Sequence, residues 1–111
     1  MDFAPMMSGS RRAVEFDEDG DALIARLTGD LTIANAATVR TAVYAAWGEK
    51  RTAKVIVDMQ STKRVDSSGL GALMEIAHRA RQARIGVTLR GLLPEPRKIL
   101  NRTGIGRLFE D

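Results

Sequence analysis

Asp66, Ser67 and Ser68 stand directly ahead of Gly69, Leu70 and Gly71 in the stretch VDSSGLG, residues 65–71. A serine hydroxyl can attack as a nucleophile, or it can accept a group that another enzyme transfers. Attack requires a base within hydrogen-bond reach. The chain has one histidine, His78. It falls in the helix predicted to begin at the serines, about three turns on, so roughly 15 Å along the axis from Ser67. No direct Ser-His-Asp set can form across that distance. Asp58 and Asp66 flank the link before this helix, and paired carboxylates can do acid-base or metal chemistry. Two isolated aspartates in this setting read as caps and turn formers instead. No two-histidine metal spacing occurs. GLG at 69–71 and GIG at 104–106 lack the lysine and the spacing of a phosphate loop. With no cysteine in the chain, thiolate nucleophiles, thiolate metal sites and disulfides are excluded. The residues offer no catalytic set, no metal site and no cofactor site.

The second use remains. Asp66, Ser67 or Ser68 can each cap the helix, because a side-chain oxygen satisfies an amide left unpaired in the first turn. Three features point beyond a cap. Gly69 and Gly71 weaken a first turn by about 1 kcal/mol each relative to alanine, which makes sense where another surface approaches the backbone. A helix N-terminus favours a phosphate, since free amides and the helix dipole face it. The serines also follow a central strand at its carboxyl end, where open α/β sheets carry their sites.

The elements that hold this stretch are legible from period and punctuation. Residues 14–27 predict a β-hairpin turning at Asp19-Gly20-Asp21, with Leu23, Ala25 and Leu27 on one face. Residues 32–50 predict a helix with Thr32 as N-cap, an apolar stripe of Ala36, Val39, Val43 and Trp47, and Gly48, Lys50 and Arg51 as its stop signals. Trp47 reads as a core or edge residue. Val55-Ile56-Val57 is a strand without alternation, which predicts cover on both faces. The helix from Ser67 is expected to turn Leu70, Leu73, Met74 and Ala77 to one side. Residues 86–91 form another strand, and residues 94–104 a short helix with Pro94 at its start and Gly104 past its end. Ile105, Leu108 and Phe109 are expected to pack back. The order β-β-α-β-α-β-α predicts an α/β fold, a mixed central sheet with helices packed on it.

The bulk numbers set limits. A chain of 111 residues suits one domain, expected over 12–111 behind a loose tail at 1–11. With 5% aromatic residues the core must be aliphatic. The 17 Lys and Arg face 14 Asp and Glu, for a net charge of +3. Arg79, Arg81, Arg84, Arg90, Arg97, Lys98, Arg102 and Arg107 gather late, but without interleaved aromatics they read as a solvated face, not a nucleic-acid surface. No apolar run approaches the ~20 residues of a membrane span, and residues 1–12 lack the pattern of a secretory signal. A cytoplasmic location without membrane insertion is expected.

Three blocks in order carry a family likeness: ARLTGDL at 25–31, VIVDMQSTKRVDSSGLGALM at 55–74 and GLLPEPRKILNRTGIGRLFE at 91–110. Together they resemble the STAS domain, most closely its stand-alone members, the bacterial anti-sigma factor antagonists. Asp-Ser-Ser-Gly-Leu-Gly after an aliphatic strand is similar to the family's phosphorylation signature. The resemblance implies a partner switch. The unphosphorylated protein would bind an anti-sigma factor that is also a serine kinase, and so free a sigma factor. Phosphorylation of Ser67, with Ser68 as second choice, would break the complex, and a serine phosphatase would reset it. Asp30, Thr32, Asp66, Ser68, Gly69, Leu70 and Gly71 would then form the docking surface. Where the family often has Gly-Glu-Leu-Asp, this chain has Gly29-Asp30-Leu31-Thr32, which loses a charge at a loop beside the kinase. Many members continue into a further helix beyond the position of Asp111, so a thinner last layer is expected. STAS domains also serve bacterial ABC-type phospholipid transporters and anion transporters as accessory parts, frequently without an intact acceptor serine.

Overall fold

A computed structural model describes residues 12–49 and 52–109. Strands β1 (Val14–Asp19) and β2 (Ala22–Leu27) form the expected hairpin. Gly20 turns it at φ 63°, a left-handed conformation that glycine enters without a Cβ clash. Helix α1 (Ala36–Glu49), strand β3 (Lys54–Asp58), helix α2 (Ser67–Gln82), strand β4 (Gly86–Arg90) and helix α3 (Pro94–Thr103) follow, then a 3₁₀ turn (Ile105–Leu108). The sheet runs β1-β2-β3-β4, antiparallel at the hairpin and parallel thereafter. This is the mixed α/β arrangement that the sequence predicts. Both parallel crossovers step one place in the same direction. Right-handed connections therefore set α1 and α2 on the same face.

That face is the core. Leu23, Ala25 and Leu27 of β2, Val55 and Val57 of β3, and Val87 of β4 meet Val39 and Val43 of α1, Leu73, Ile76 and Ala80 of α2, and Leu100 of α3 in one aliphatic cluster. Trp47 packs partly buried at its edge, with its ring 5.2 Å from that of Tyr44.

Among the described residues the expected double cover of β3 is not met. Val55 and Val57 point into the core, whereas Ile56 is only partly buried on the opposite face, directly beside Ile24 of β2. A cross-strand isoleucine pair, and not a second helical layer, accounts for the unbroken apolar run. The rest of this face is ionic. Glu15, Arg26, Asp58 and Arg90 are successive cross-strand neighbours, so charge alternates across all four strands. Arg90 meets Asp58 at 3.0 Å and Arg26 meets Asp17 at 2.8 Å. Asp58 is 4% exposed. Burial pushes its pKa up, but the Gln60 amide and the Arg90 guanidinium outweigh that and hold it below the ordinary value.

Several local expectations are corrected. The first helix begins at Ala36, not beside Thr32. The Thr32 hydroxyl accepts from the Ala34 amide, and Asn35 Oδ1 accepts from the Thr32 amide, so a side-chain-stabilised turn occupies 32–35 ahead of the helix. Met74 leaves the core side and is 44% exposed, and Leu108 is 36% exposed and does not pack back as Ile105 and Phe109 do. Pro94 and Gly104 bound α3 as expected, with Gly104 at φ 79°. The fold draws three of the late cations apart from the rest. Arg79 lies over the Tyr44 ring at 4.5 Å, Arg90 is on the sheet, and Lys98 faces Glu95 at 3.9 Å. Among the described residues no helix is long and apolar enough to cross a membrane. The expected tail at 1–11 and the stop residues Lys50 and Arg51 lie outside the described residues.

Leu73 is fully buried at the centre of the cluster. Leu73→Ala is expected to lower unfolding free energy by about 2–5 kcal/mol, read as an earlier urea midpoint with an unchanged slope.

Candidate functional site

Two loops meet at the carboxyl ends of β2 and β3 and tie each other down. From the β2 side, residues 29–35 run toward α1. From the β3 side, residues 59–66 run toward α2. Thr62, fully buried, donates its hydroxyl to the Gly29 carbonyl at 2.8 Å. One oxygen of Asp30 accepts from both the Lys63 and Arg64 amides, at 2.9 and 3.0 Å. The Leu31 amide donates to the Arg64 carbonyl and the Asp66 amide donates to the Leu31 carbonyl, a short parallel bridge between Leu31 and Val65. Asn35 donates to the Asp30 carbonyl.

Asp66 closes this clasp and starts α2. It is the N-cap residue, and its Oδ1 accepts from the Gly69 amide at 2.9 Å. Its Oδ2 accepts from the Ile33 amide at 3.0 Å, across to the other loop. These amides, Gly69 first and then Ile33, hold the carboxyl below the usual aspartate range. Asp66 is thus a charged bridge whose two oxygens are both committed to backbone.

Ser67 is the first residue of α2. It is exposed, and its hydroxyl has no hydrogen-bond partner among the described residues. Ser68 is partly buried. Ser67 therefore presents a free hydroxyl at the positive end of a sixteen-residue helix, where an added phosphate would find favourable dipoles. His78 lies eleven residues along the same helix, about 16 Å away by helical rise, and does not reach it.

The two glycines have different reasons to be there. A Cβ on Gly69 would collide with the Leu31 carbonyl oxygen and with Val65 Cγ1. Gly69 lets α2 start hard against the clasp, so the approaching backbone is the protein's own. A Cβ on Gly71 would meet nothing within 4 Å, and no positive φ is needed there. Nothing inside the described fold asks for glycine at 71.

The structure thus brings Asp30, Thr32, Asp66, Ser67, Ser68 and Gly69 into one corner. Asp30 faces the loop backbone, Gly69 and Leu70 are buried, and Gly71 lies on the open face of α2. Sequence reasoning missed Ile33. It is 78% exposed beside Asp66, and the helical pattern assigned it to the first turn of α1, where it carried no signal of its own.

Two outcomes follow. Gly69→Ala is expected to destabilise by about 1–3 kcal/mol through overpacking, while Gly71→Ala stabilises by about 0.5–1 kcal/mol through helix propensity; thermal melts of the pair separate them in sign. Asp66, with a depressed folded pKa, contributes stability above its unfolded pKa near ~3.9 and loses it as pH falls through the folded value. Urea titrations of wild type and Asp66→Asn at pH 7, 5 and 3 are expected to converge toward the acid end, because protonation removes from wild type what the amide already lacks.

The sequence matches the STAS domain family over residues 13–110. No curated protein matches it. Among solved structures it is similar to a protein of Thermotoga maritima assigned as an anti-sigma factor antagonist, at TM-score 0.81 and 18% identity over 87% of this chain and 83% of that one. It is similar to the Bacillus anti-sigma factor antagonist SpoIIAA in its unphosphorylated form, at TM-score 0.75 and 20% identity over 89% and 87%. A sulfate transporter family protein of Wolinella succinogenes shares the fold at TM-score 0.73 and 19% identity, over 85% and 75%.

Proposed function

The chain belongs to the STAS domain family, and from that premise we propose that it is a phosphorylation-switched binding protein acting in the cytoplasm as an anti-sigma factor antagonist. Unphosphorylated, it binds an anti-sigma factor that is also a serine kinase and so frees a sigma factor. The kinase transfers the γ-phosphoryl of its ATP to the Ser67 oxygen, with loss of the hydroxyl proton and release of ADP, and a serine phosphatase reverses the mark by hydrolysis. The observation that carries this reading is the free, exposed Ser67 hydroxyl at the start of α2, next to a carboxylate already committed to backbone amides.

The physics of the switch is local. A phosphate adds about −1.5 to −2 charge and three strong acceptors. In an interface that excludes water it must be desolvated beside Asp66, a like charge. Helix α2 tolerates the phosphate in the isolated protein, because the dipole and the first-turn amides favour an anion there. The modification therefore acts on the complex and leaves the fold standing. A transport-accessory role is the second reading, favoured by the structural likeness to the sulfate transporter family protein; the intact serine pair favours the first.

Affinity isolation from native cells with wild type, Ser67→Ala and Ser67→Asp, followed by mass spectrometry, tests it. A serine kinase captured by wild type and Ser67→Ala, and at least tenfold less by Ser67→Asp, is the expected result. Equal capture of a permease or transporter ATPase by all three variants would replace it with the transport reading.

A further inference from the structure

The described residues expose three large apolar side chains: Ile33, Met74 and Leu108. Single exposed apolar residues are ordinary. These three are not scattered. Ile33 hangs from the Asp66 carboxylate, one residue from Ser67. Met74 lies seven residues past Ser67 on α2, two helical turns along the same stripe and about 10 Å away. Between them sits Gly71, at four residues, where the side-chain space is empty. Leu108, from the last 3₁₀ turn, lies beside Met74, and the two line one shallow depression with Ala77, His78 and Arg81. Ile33 thus adjoins the start of the stripe that Ser67, Gly71 and Met74 share, and Leu108 adjoins its far end.

The far end of this track is basic. Arg81, Arg84 and Leu108 share an adjacent depression, and Arg107 precedes Leu108. Among the described residues none of these three arginines has an ion-pair partner, whereas Arg26, Arg40 and Arg90 all do. Cations without an ion-pair partner among the described residues, set around an apolar centre, complement a partner that is apolar in the middle and acidic at one edge.

We propose that this track is a single docking surface, extending from Ile33 over Ser67 and Gly71 to Met74 and Leu108, and that its occupant is a protein partner whose apolar ridge lies across Gly71 with acidic groups facing Arg81, Arg84 and Arg107. The proposal rests on the partner-binding reading of Ser67 and takes that partner to be the anti-sigma kinase. It adds Ile33, Met74, Leu108 and the three arginines to the interface. It also gives Gly71 its reason: a Cβ there would stand between the ridge and the helix. The phosphate of Ser67 then sits at one end of a continuous contact, and its desolvation disrupts the whole track.

Site-specific photo-cross-linking in the native cell tests the surface, because the cross-link itself identifies the occupant. A photoreactive residue replaces Ile33, Met74 or Leu108 in the full chain, with Glu15 and Thr88 on the opposite sheet face as controls; all three track positions are exposed, so the core stays intact. The expected result is one serine kinase cross-linked from all three positions and from neither control. Arg81→Glu with Arg107→Glu is expected to cut the yield at position 108 at least fivefold, and Gly71→Ala to cut it at all three. Cross-links to a second copy of this chain, cross-links from the sheet face, or none from the track would overturn the surface. A kinase captured from position 33 alone would keep the switch and sink the extended track. Convergence of all three positions on a permease would keep the track and sink the kinase.

Discussion

One carboxylate holds the working corner of this protein together. Asp66 accepts from the Gly69 amide at the start of α2 and from the Ile33 amide in the opposite loop. Ionised acceptors make the stronger hydrogen bonds. Here one such group fixes both the helix start and the loop that faces it. Asp30 does similar work one layer back, where a single oxygen holds two successive amides of the loop before Ser67. The serine hydroxyl is thus displayed on backbone that is pinned from two sides. Backbone held in this way keeps the exposed hydroxyl in one place without calling on the serine side chain itself.

The sheet makes this possible by putting its two chemistries on opposite faces. Its inner face is aliphatic and carries the helices. Its outer face carries a charge row through Glu15, Arg26, Asp58 and Arg90 around the Ile24–Ile56 pair. The Arg26–Asp17 pair is exposed and contributes little, whereas Asp58 is buried beneath Arg90. The row sets this face apart from the aliphatic one that carries the helices. With both crossovers on one side, the loops that leave β2 and β3 emerge as neighbours, and the Leu31–Val65 bridge extends the parallel pairing past the strands themselves. The site is a continuation of the sheet by other means.

The two glycines of VDSSGLG show why one residue type needs two explanations. Gly69 is small because the Leu31 carbonyl is already there. Gly71 is small with nothing beside it, at a helical position where alanine would be about 1 kcal/mol better. No packing contact among the described residues accounts for that departure. The same logic separates Met74 from Leu73. Neighbours in sequence and both apolar, they fall on different faces of α2, one against the core and one toward solvent.

By itself the sequence determined the element order, the mixed α/β class and the serine-bearing helix start, because period, caps and turn residues are encoded within a few positions of one another. The family likeness implied a phosphorylation site at Ser67 that no local rule supplies. Only the tertiary structure decided what touches what between the loop after β2 and the loop after β3. It turned Asp30 toward the Lys63 and Arg64 amides, gave Asp66 a second partner at Ile33 and told Gly69 apart from Gly71. It also moved the start of α1 to Ala36, since the Asn35 and Thr32 side chains satisfy the preceding turn better than a helix would. Among the described residues it left β3 covered on one face, since an apolar run looks the same whether its outward residue meets a helix or a neighbouring isoleucine. Local pattern fixes an element's kind; which of its faces is left over for a partner depends on distant residues arriving beside it, and only the folded chain carries that information.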